Sequence, residues 1–361
     1  YTRGRGTCYL LGRYKAFTGK NIMIIFKPDL PFIRWSVTEN GRLSCGRIIF
    51  NTACFGEIER KISKMNAGEK VSFGYILPNG GEEIKDPVSF LTDESLPIIE
   101  RCVKFLPEPN SVIYKTAKYL FTKFPNFRHV LFCDTSFFIN LPKNASTYAI
   151  PYKLRKKGIR RYGGDGLCHQ WAWEEAKNEF GKDVRKVISV YLGNTPNIAA
   201  IEDGVPVETT IGFTAVEGIP SINGCGDIDP TIIFQLYAEG MSFERINDLL
   251  SEESGLSCLS NQAHEILKYH ISRYIGAFVA VLGGVDAVVF TAENIEDAKK
   301  IILEICHLLD FLGFKSKMKT IKSGDRIVLS KSGSKINGLC LKYNECKILN
   351  EKTVLLAGKE G

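Results

Sequence analysis

Short apolar runs alternate along this chain with longer segments in which apolar positions recur at helical spacing, the two patterns that separate buried strands from amphipathic helices. Residues 22–26 read as a buried strand, followed after short breaks by strands at 33–37 and 46–51, so the chain opens a mixed sheet by a meander. Amphipathic helices are predicted over 98–105 and 111–124, and 130–133 is a short buried strand that ends at Asp134. A carboxylate at the carboxyl end of an α/β strand stands where ligands meet such sheets. Residues 140–152, with Pro142 and Pro151, read as a connection between domains.

The second half repeats the scheme. Strands are predicted at 187–192 and 199–202, and Asp203-Gly204 is a turn that folds the chain back through 205–210. Helices follow at 230–239, 242–251 and 261–280, with Asp229, Ser242 and Ser260 at capping positions. An apolar strand at 287–291 and a long helix at 295–312 complete the pattern. Recurrence of meander, helix, strand and helix predicts an α/β protein of two related domains facing a cleft. The expected division is an N-terminal extension of unknown role (1–20), an N-terminal domain (21–147) and a C-terminal domain (148–361).

Composition changes this picture little. A chain of 361 residues exceeds the size at which one core stops growing, roughly 250 to 300 residues, and 44% hydrophobic with 24% charged residues is ordinary for a globular protein. The net charge of +7 is modest, and basic residues cluster only at Lys153, Arg155, Lys156, Lys157, Arg160 and Arg161. That run is a candidate phosphate or nucleic-acid patch. A solvated turn is the preferred reading, because no aromatic stacking platform is interleaved with it. Eleven cysteines, odd in number and without a C-x-x-C pair, indicate neither a disulfide framework nor a zinc knuckle, and point to a reducing compartment, cytoplasm or organelle matrix. The longest apolar stretch, 275–289, is interrupted by glycines and Asp286 and falls short of the roughly 18 residues of a membrane span, so a soluble protein is expected. The extension carries Arg3, Arg5, Arg13 and Lys15 and no acid, as the remnant of a targeting or longer segment would, or as an incomplete chain would.

Seven strings together resemble the acetate kinase family, with its propionate and butyrate kinase relatives, in the actin and hexokinase superfamily: DTSFF at 134–138, YAIPY at 148–152, RRYG at 160–163, YLGN at 191–194, GFTAVEG at 212–218, GDIDP at 226–230 and GGVDAVVFTA at 283–292. The resemblance implies two actin/hexokinase-like, ribonuclease H-like domains, phosphoryl transfer between ATP and a short carboxylate with Mg2+, and a homodimer. That chemistry needs cations and hydrogen-bond donors around the phosphoryl group in flight.

By the same resemblance, many of those donors are replaced. The stretch that faces phosphates and metal reads Lys27, Pro28, Asp29, Leu30, Pro31, Phe32, where two prolines remove amide donors. The two carboxylate-holding arginines fall at Ile76 and Gly224, and the wall of the acetyl pocket falls at Gly164. The transition-state histidine falls at Asp165, an anion that repels an anionic transition state, while a second histidine remains as His169. Among nucleotide positions, Gly193 and Asn194 remain, and the adenosine clasp reads Glu265, Ile266, Leu267. A backbone-approach glycine has become Glu293, in a loop that now reads as a helix start. Asp134 keeps the cleft aspartate's position, as a functional group or as a cap, and Glu360 aligns with the glutamate that positions the metal. The expectation is therefore a non-catalytic structural or interaction subunit, a homodimer or part of a larger assembly. No cofactor is expected unless the family activity persists, in which case Mg2+ and ATP are. The alternatives are a kinase of weak or altered activity and, last, a nucleotide sensor without turnover. A nucleic-acid partner is not expected.

Overall fold

The computed structural model describes residues 21–39, 42–51, 53–62, 70–317 and 324–357; the extension 1–20 and Glu360 lie outside the described residues. The first part of the chain forms β1 (Asn21–Asp29), β2 (Phe32–Glu39), β3 (Arg42–Ile49), α1 (Cys54–Ile62), β4 (Lys70–Leu77), β5 (Val88–Phe90), α2 (Ser95–Cys102), α3 (Pro107–Lys123) and β6 (Arg128–Cys133). A 3-10 turn, Asp134–Phe138, leads into α4 (Lys143–Ser146), α5 (Tyr152–Arg155), α6 (Gly166–Phe180), β7 (Lys186–Tyr191), β8 (Asn197–Glu202) and β9 (Val205–Thr209). Then come α7 (Thr231–Ala238), α8 (Phe243–Glu252), α9 (Ala263–Leu282), β10 (Ala287–Ala292), α10 (Ile295–Leu308), β11 (Arg326–Val328), β12 (Asn337–Lys342) and α11 (Glu345–Ala357).

The strands form two six-stranded sheets, ordered β3-β2-β1-β4-β6-β5 and β9-β8-β7-β10-β12-β11. Their directions also correspond. β1, β4 and β6 pair in parallel, as β7, β10 and β12 do, while β2, β3 and β5, and likewise β8, β9 and β11, are added by antiparallel pairing. One topology has been used twice, as the recurrence in the sequence predicted.

The central strands are buried on both faces, which is why they read as continuous apolar runs rather than as alternation. In the first unit Ile22, Ile24, Phe26, Phe73, Tyr75 and Leu77 pack with Val112, Ile113, Ala117 and Leu120 of α3. In the second, Ile188, Val190, Val288 and Phe290 pack with Ile271, Ile275 and Phe278 of α9 and Ile301, Ile302 and Ile305 of α10. The hairpin turn is as expected, with Asp203 and Gly204 at φ 51° and 83°, the left-handed pair of a type I′ turn.

The contacts divide the chain differently from the sequence reading. One unit comprises the residues up to Ser136 together with Asn344–Gly361, and the other is Phe137–Tyr343. The C-terminal helix α11 therefore belongs to the first unit, where Ile348 and Leu349 are buried, instead of closing the domain expected at 148–361. Residues 140–152, expected as a connection, fall within the second unit and include α4. The helix expected over 295–312 ends at Leu308 and continues as a 3-10 turn at Asp310–Leu312. Ser242 caps α8 by accepting from Arg245 N, and Asp229 Oδ1 accepts from Thr231 N at 2.9 Å. Ser260, however, lies in a 3-10 turn at φ 45°, and α9 starts at Ala263 without a side-chain cap.

Candidate functional site

Sheet geometry assembles most of the candidate residues at the carboxyl ends of parallel strands, the edge at which α/β sheets meet ligands. In the first unit Lys27, Ile76 and Asp134 stand at the ends of β1, β4 and β6, which are neighbours, with Phe26 paired to Tyr75 and Leu77 to Cys133. In the second, Gly193 and Asn194 follow β7 and Glu293 follows β10, and Leu192 N donates to Thr291 O at 2.8 Å between the two.

Asp134 opens the turn after β6 and is half-buried, while Thr135 and Ser136 behind it are buried. Their hydroxyls fix the turn: Gly80 N donates to Thr135 Oγ1 at 2.9 Å and Ser136 Oγ donates to Ile84 O at 2.7 Å. Beside them the buried Asn110 amide donates to Asn79 O and Cys102 O, both at 2.7 Å, so the loop after β4 is held by a satisfied polar network. Ile76, one register step before Leu77, is 1% exposed and lies in the sheet interior, where it offers no hydrogen bond.

Lys27 meets a residue that sequence reasoning did not single out. Its ammonium lies 2.5 Å from Glu345 Oε1, and Arg34 Nη2 lies 3.0 Å from Oε2 of the same carboxylate. Burial alone would raise the Glu345 carboxyl, yet the two cations outweigh it and hold the group below its ordinary value. Cys346 beside it donates to Ser36 Oγ at 2.9 Å, which fixes the first turn of α11 against β2. The partners are far apart in sequence, and no local pattern announces the pairing.

In the second unit Asp165 and His169 do come together, through Asn197. His169 is wholly buried. Its Nε2–H donates to Asn197 Oδ1 at 2.6 Å, the Asn197 amide donates to Asp165 Oδ2 at 2.8 Å, and Nδ1 lies 2.8 Å from Ser189 Oγ. The amide orientation assigns the tautomer: Nε2 carries the proton and Nδ1 accepts from the serine hydroxyl. Burial pulls the imidazole down to about 4, so the ring is neutral at pH 7. Asp165 begins α6 at φ 49° and holds its side chain on Asn197 instead of the helix amides. Gly164 is next to it, where a Cβ would meet Ile211 Cδ1 at 2.8 Å.

Gly193 is closed in by its own strand, since a Cβ there would stand 2.5 Å from the Tyr191 ring. Exposed Asn194 uses its carbonyl to accept from Ile222 N at 3.0 Å, joining this loop to the turn that contains Gly224. Gly224 is buried; its N–H donates to Ser221 Oγ at 2.7 Å. Three residues on, Asp227 accepts from Gly218 N at 2.8 Å and from Tyr274, and it pairs with Arg273 at 3.1 Å. The GDIDP turn is thus tied to α9, a role that needs no ligand. GFTAVEG and YAIPY bind each other: Tyr148 OH donates to Glu217 and accepts from Phe213 N at 2.7 Å.

Glu265 is exposed and pairs with Lys268 at 2.7 Å, which also approaches Glu304 at 3.3 Å, while His264 Nε2 lies 2.8 Å from Glu304. The carboxylates of Glu265 and Glu304 and the His264 ring are close enough to share a cation, and the Lys268 ammonium already occupies that role. Leu267 packs against the hydrophobic core. Glu293 is exposed just before α10, whose Asn294 side chain accepts from Glu296 N at 3.1 Å, so this loop is the helix start that the sequence suggested.

Two sheets of one repeated topology define the duplicated actin-like ATPase fold. Porphyromonas gingivalis acetate kinase has this fold with a TM-score of 0.84 at 23% identity over 93% of this chain and all of that one, and a Francisella tularensis propionate kinase has it with a TM-score of 0.81 at 22% identity over 91% of this chain and 98% of that one. Sequence places the chain more narrowly. The acetokinase family model matches residues 51–266 and 260–351. The acetate kinases of Carboxydothermus hydrogenoformans and Shewanella amazonensis are 31% and 32% identical to it, each over 81% of this chain and 79% of their own. The chain belongs to the acetokinase family. Among the described residues no helix is long and apolar enough to cross a membrane.

Proposed function

We propose that this chain is an acetokinase-family protein without phosphoryl-transfer activity, which serves as a structural or interaction subunit. The observation that carries the reading is the burial of Ile76: the position that the resemblance pairs with a carboxylate-holding arginine is an apolar side chain in the sheet interior. Gly224, closed within its turn, and Asp165, an anion held on Asn197, support it. Losing one preorganised donor to a transition state commonly costs about 3 to 4 kcal/mol, and several such terms do not simply add.

Acetate kinases depend on ATP and Mg2+, and the donor set of this chain suits that pair poorly. Lys27 and Arg34 are already spent on Glu345, Pro28 and Pro31 carry no amide proton, and the exposed Glu293 carboxylate stands beyond β10 where the resemblance puts nucleotide. The test is a hydroxamate assay with acetate, propionate and butyrate in the presence of magnesium ATP, alongside calorimetric titration with the nucleotide. The expected result is no acyl phosphate and no binding at millimolar nucleotide. Turnover that disappears in Asp134→Asn would overturn the reading in favour of an acetate kinase-type transfer with altered activity, for which the place of Asp134 at the end of β6 speaks.

The partner we infer first is a second copy of this chain. Helix α7 has no buried residue although its sequence is TIIFQLYA, and Phe234 and Tyr237 are 66% and 52% exposed. Tyr237 stacks on Phe243 of α8, itself exposed, at 4.5 Å, so the apolar face is continuous across both helices. A contiguous apolar surface of this kind marks an association site.

A further inference from the structure

The basic run that the sequence presented as a solvated turn is an exposed turn in the structure, and its three-dimensional setting adds to that reading. Residues 151–157 are all exposed, and Lys153, Arg155, Lys156 and Lys157 follow one another over a single turn and its exit. Among the described residues no acidic side chain pairs with any of these four. Arg161, a few positions on, is half-buried and lies between Glu208 at 2.7 Å and Glu217 at 3.4 Å. Arg155 donates from Nε to Ile150 O at 3.1 Å, which holds the turn in shape.

An aromatic side chain stands at the head of the run. Tyr152 is 63% exposed, with the Arg155 guanidinium 5.5 Å and the Lys156 ammonium 4.9 Å from its ring centroid, and Leu154 beside it is 39% exposed. Tyr152 is a single ring with cations beside it, whereas single-stranded nucleic acid is held by successive stacking faces along a groove. An exposed tyrosine and leucine ringed by unpaired lysines and an arginine suit a flat anionic interface instead. There the apolar parts enter the headgroup layer while the long cationic side chains remain among the phosphates.

We propose that the Tyr152–Lys157 turn is a docking surface for an anionic phospholipid bilayer. Binding through one such patch is weak and reversible, because stable anchoring needs a second signal. It is also salt-sensitive, since exposed charges are screened over about 8 Å at physiological ionic strength.

The experiment is co-sedimentation of the full chain with phosphatidylcholine vesicles, with and without phosphatidylserine. The expected result is sedimentation with the serine-containing vesicles only, falling steeply as salt is raised. Lys153→Gln combined with Lys156→Gln should reduce the partition coefficient roughly 30-fold, from the usual contribution of a basic residue at an anionic surface. Tyr152→Ala should weaken binding without changing its salt dependence, and the control pair Lys299→Gln with Lys300→Gln on α10 should bind as the unaltered chain does. Failure to sediment with anionic vesicles at low salt would overturn the proposal, as would an equal loss in the α10 control. Tighter binding to oligouridylate than to vesicles, lost in the same Lys153/Lys156 variant, would assign the surface to nucleic acid and overturn it as well.

Discussion

His169 shows how a residue chosen for chemistry can be consumed by structure. Buried between Ser189 and Asn197 and neutral, it gives its one ring proton to Asn197, and both of its ring nitrogens are already used. Its effect should appear in stability. The unfolded chain takes up a proton near 6.5 that the folded chain refuses until about 4, so stability is intact above pH 6.5 and declines as pH falls towards 4. The decline from this group alone is about 3 kcal/mol, and urea unfolding measured between pH 7 and pH 4.5 should show it. His169→Gln should flatten that part of the profile while lowering stability at pH 7. A residue's identity was readable at every such position, but its surroundings were not. Nothing near Lys27 in sequence announces Glu345, and nothing near Ile76 says whether the side chain faces a cleft or a core.

Elements were legible where a period is long and consistent, and less so at their ends. Strands β1, β7 and β10 and helices α9 and α10 follow directly from their apolar patterns, whereas α6, β4, β12 and α11 do not. β4 is interrupted by Ser72 and Gly74, and β12 is a run of only four buried residues that includes Gly338 and Cys340, too short and too mixed to stand out as apolar periods. α7 was predicted as a helix, but its periodicity could not say that no face of it would be buried. If that face pairs with a second copy, Phe234→Glu should convert a dimer to a monomer in sedimentation analysis without lowering the melting temperature of the monomer. A monomeric unaltered chain would remove this role from α7.

For the whole molecule, the return of the C-terminal segment to the first unit has a direct consequence. Ending the chain at Tyr343 removes α11, and with it the buried Ile348, Leu349 and Thr353 and the carboxylate that neutralises Lys27 and Arg34. Losing even one large buried aliphatic side chain commonly costs about 2 to 5 kcal/mol, and a domain has only about 5 to 15 kcal/mol in hand. The shortened chain should therefore lose the first unit and keep the second. Limited proteolysis should leave a protected fragment spanning most of 137–343, with a corresponding loss of circular dichroism.

What the sequence determined by itself is the family, the doubled α/β scheme and the order of the main elements, because each rests on residues close together in the chain: motif strings, apolar periods, turn dipeptides. Tertiary structure alone decided which carboxylate meets Lys27, that His169 is locked in a buried hydrogen-bond chain, where the C-terminal helix belongs and that α7 stays bare. Each of those depends on which distant segment arrives at a given surface. That is a matter of packing and burial, and no single stretch of sequence carries it.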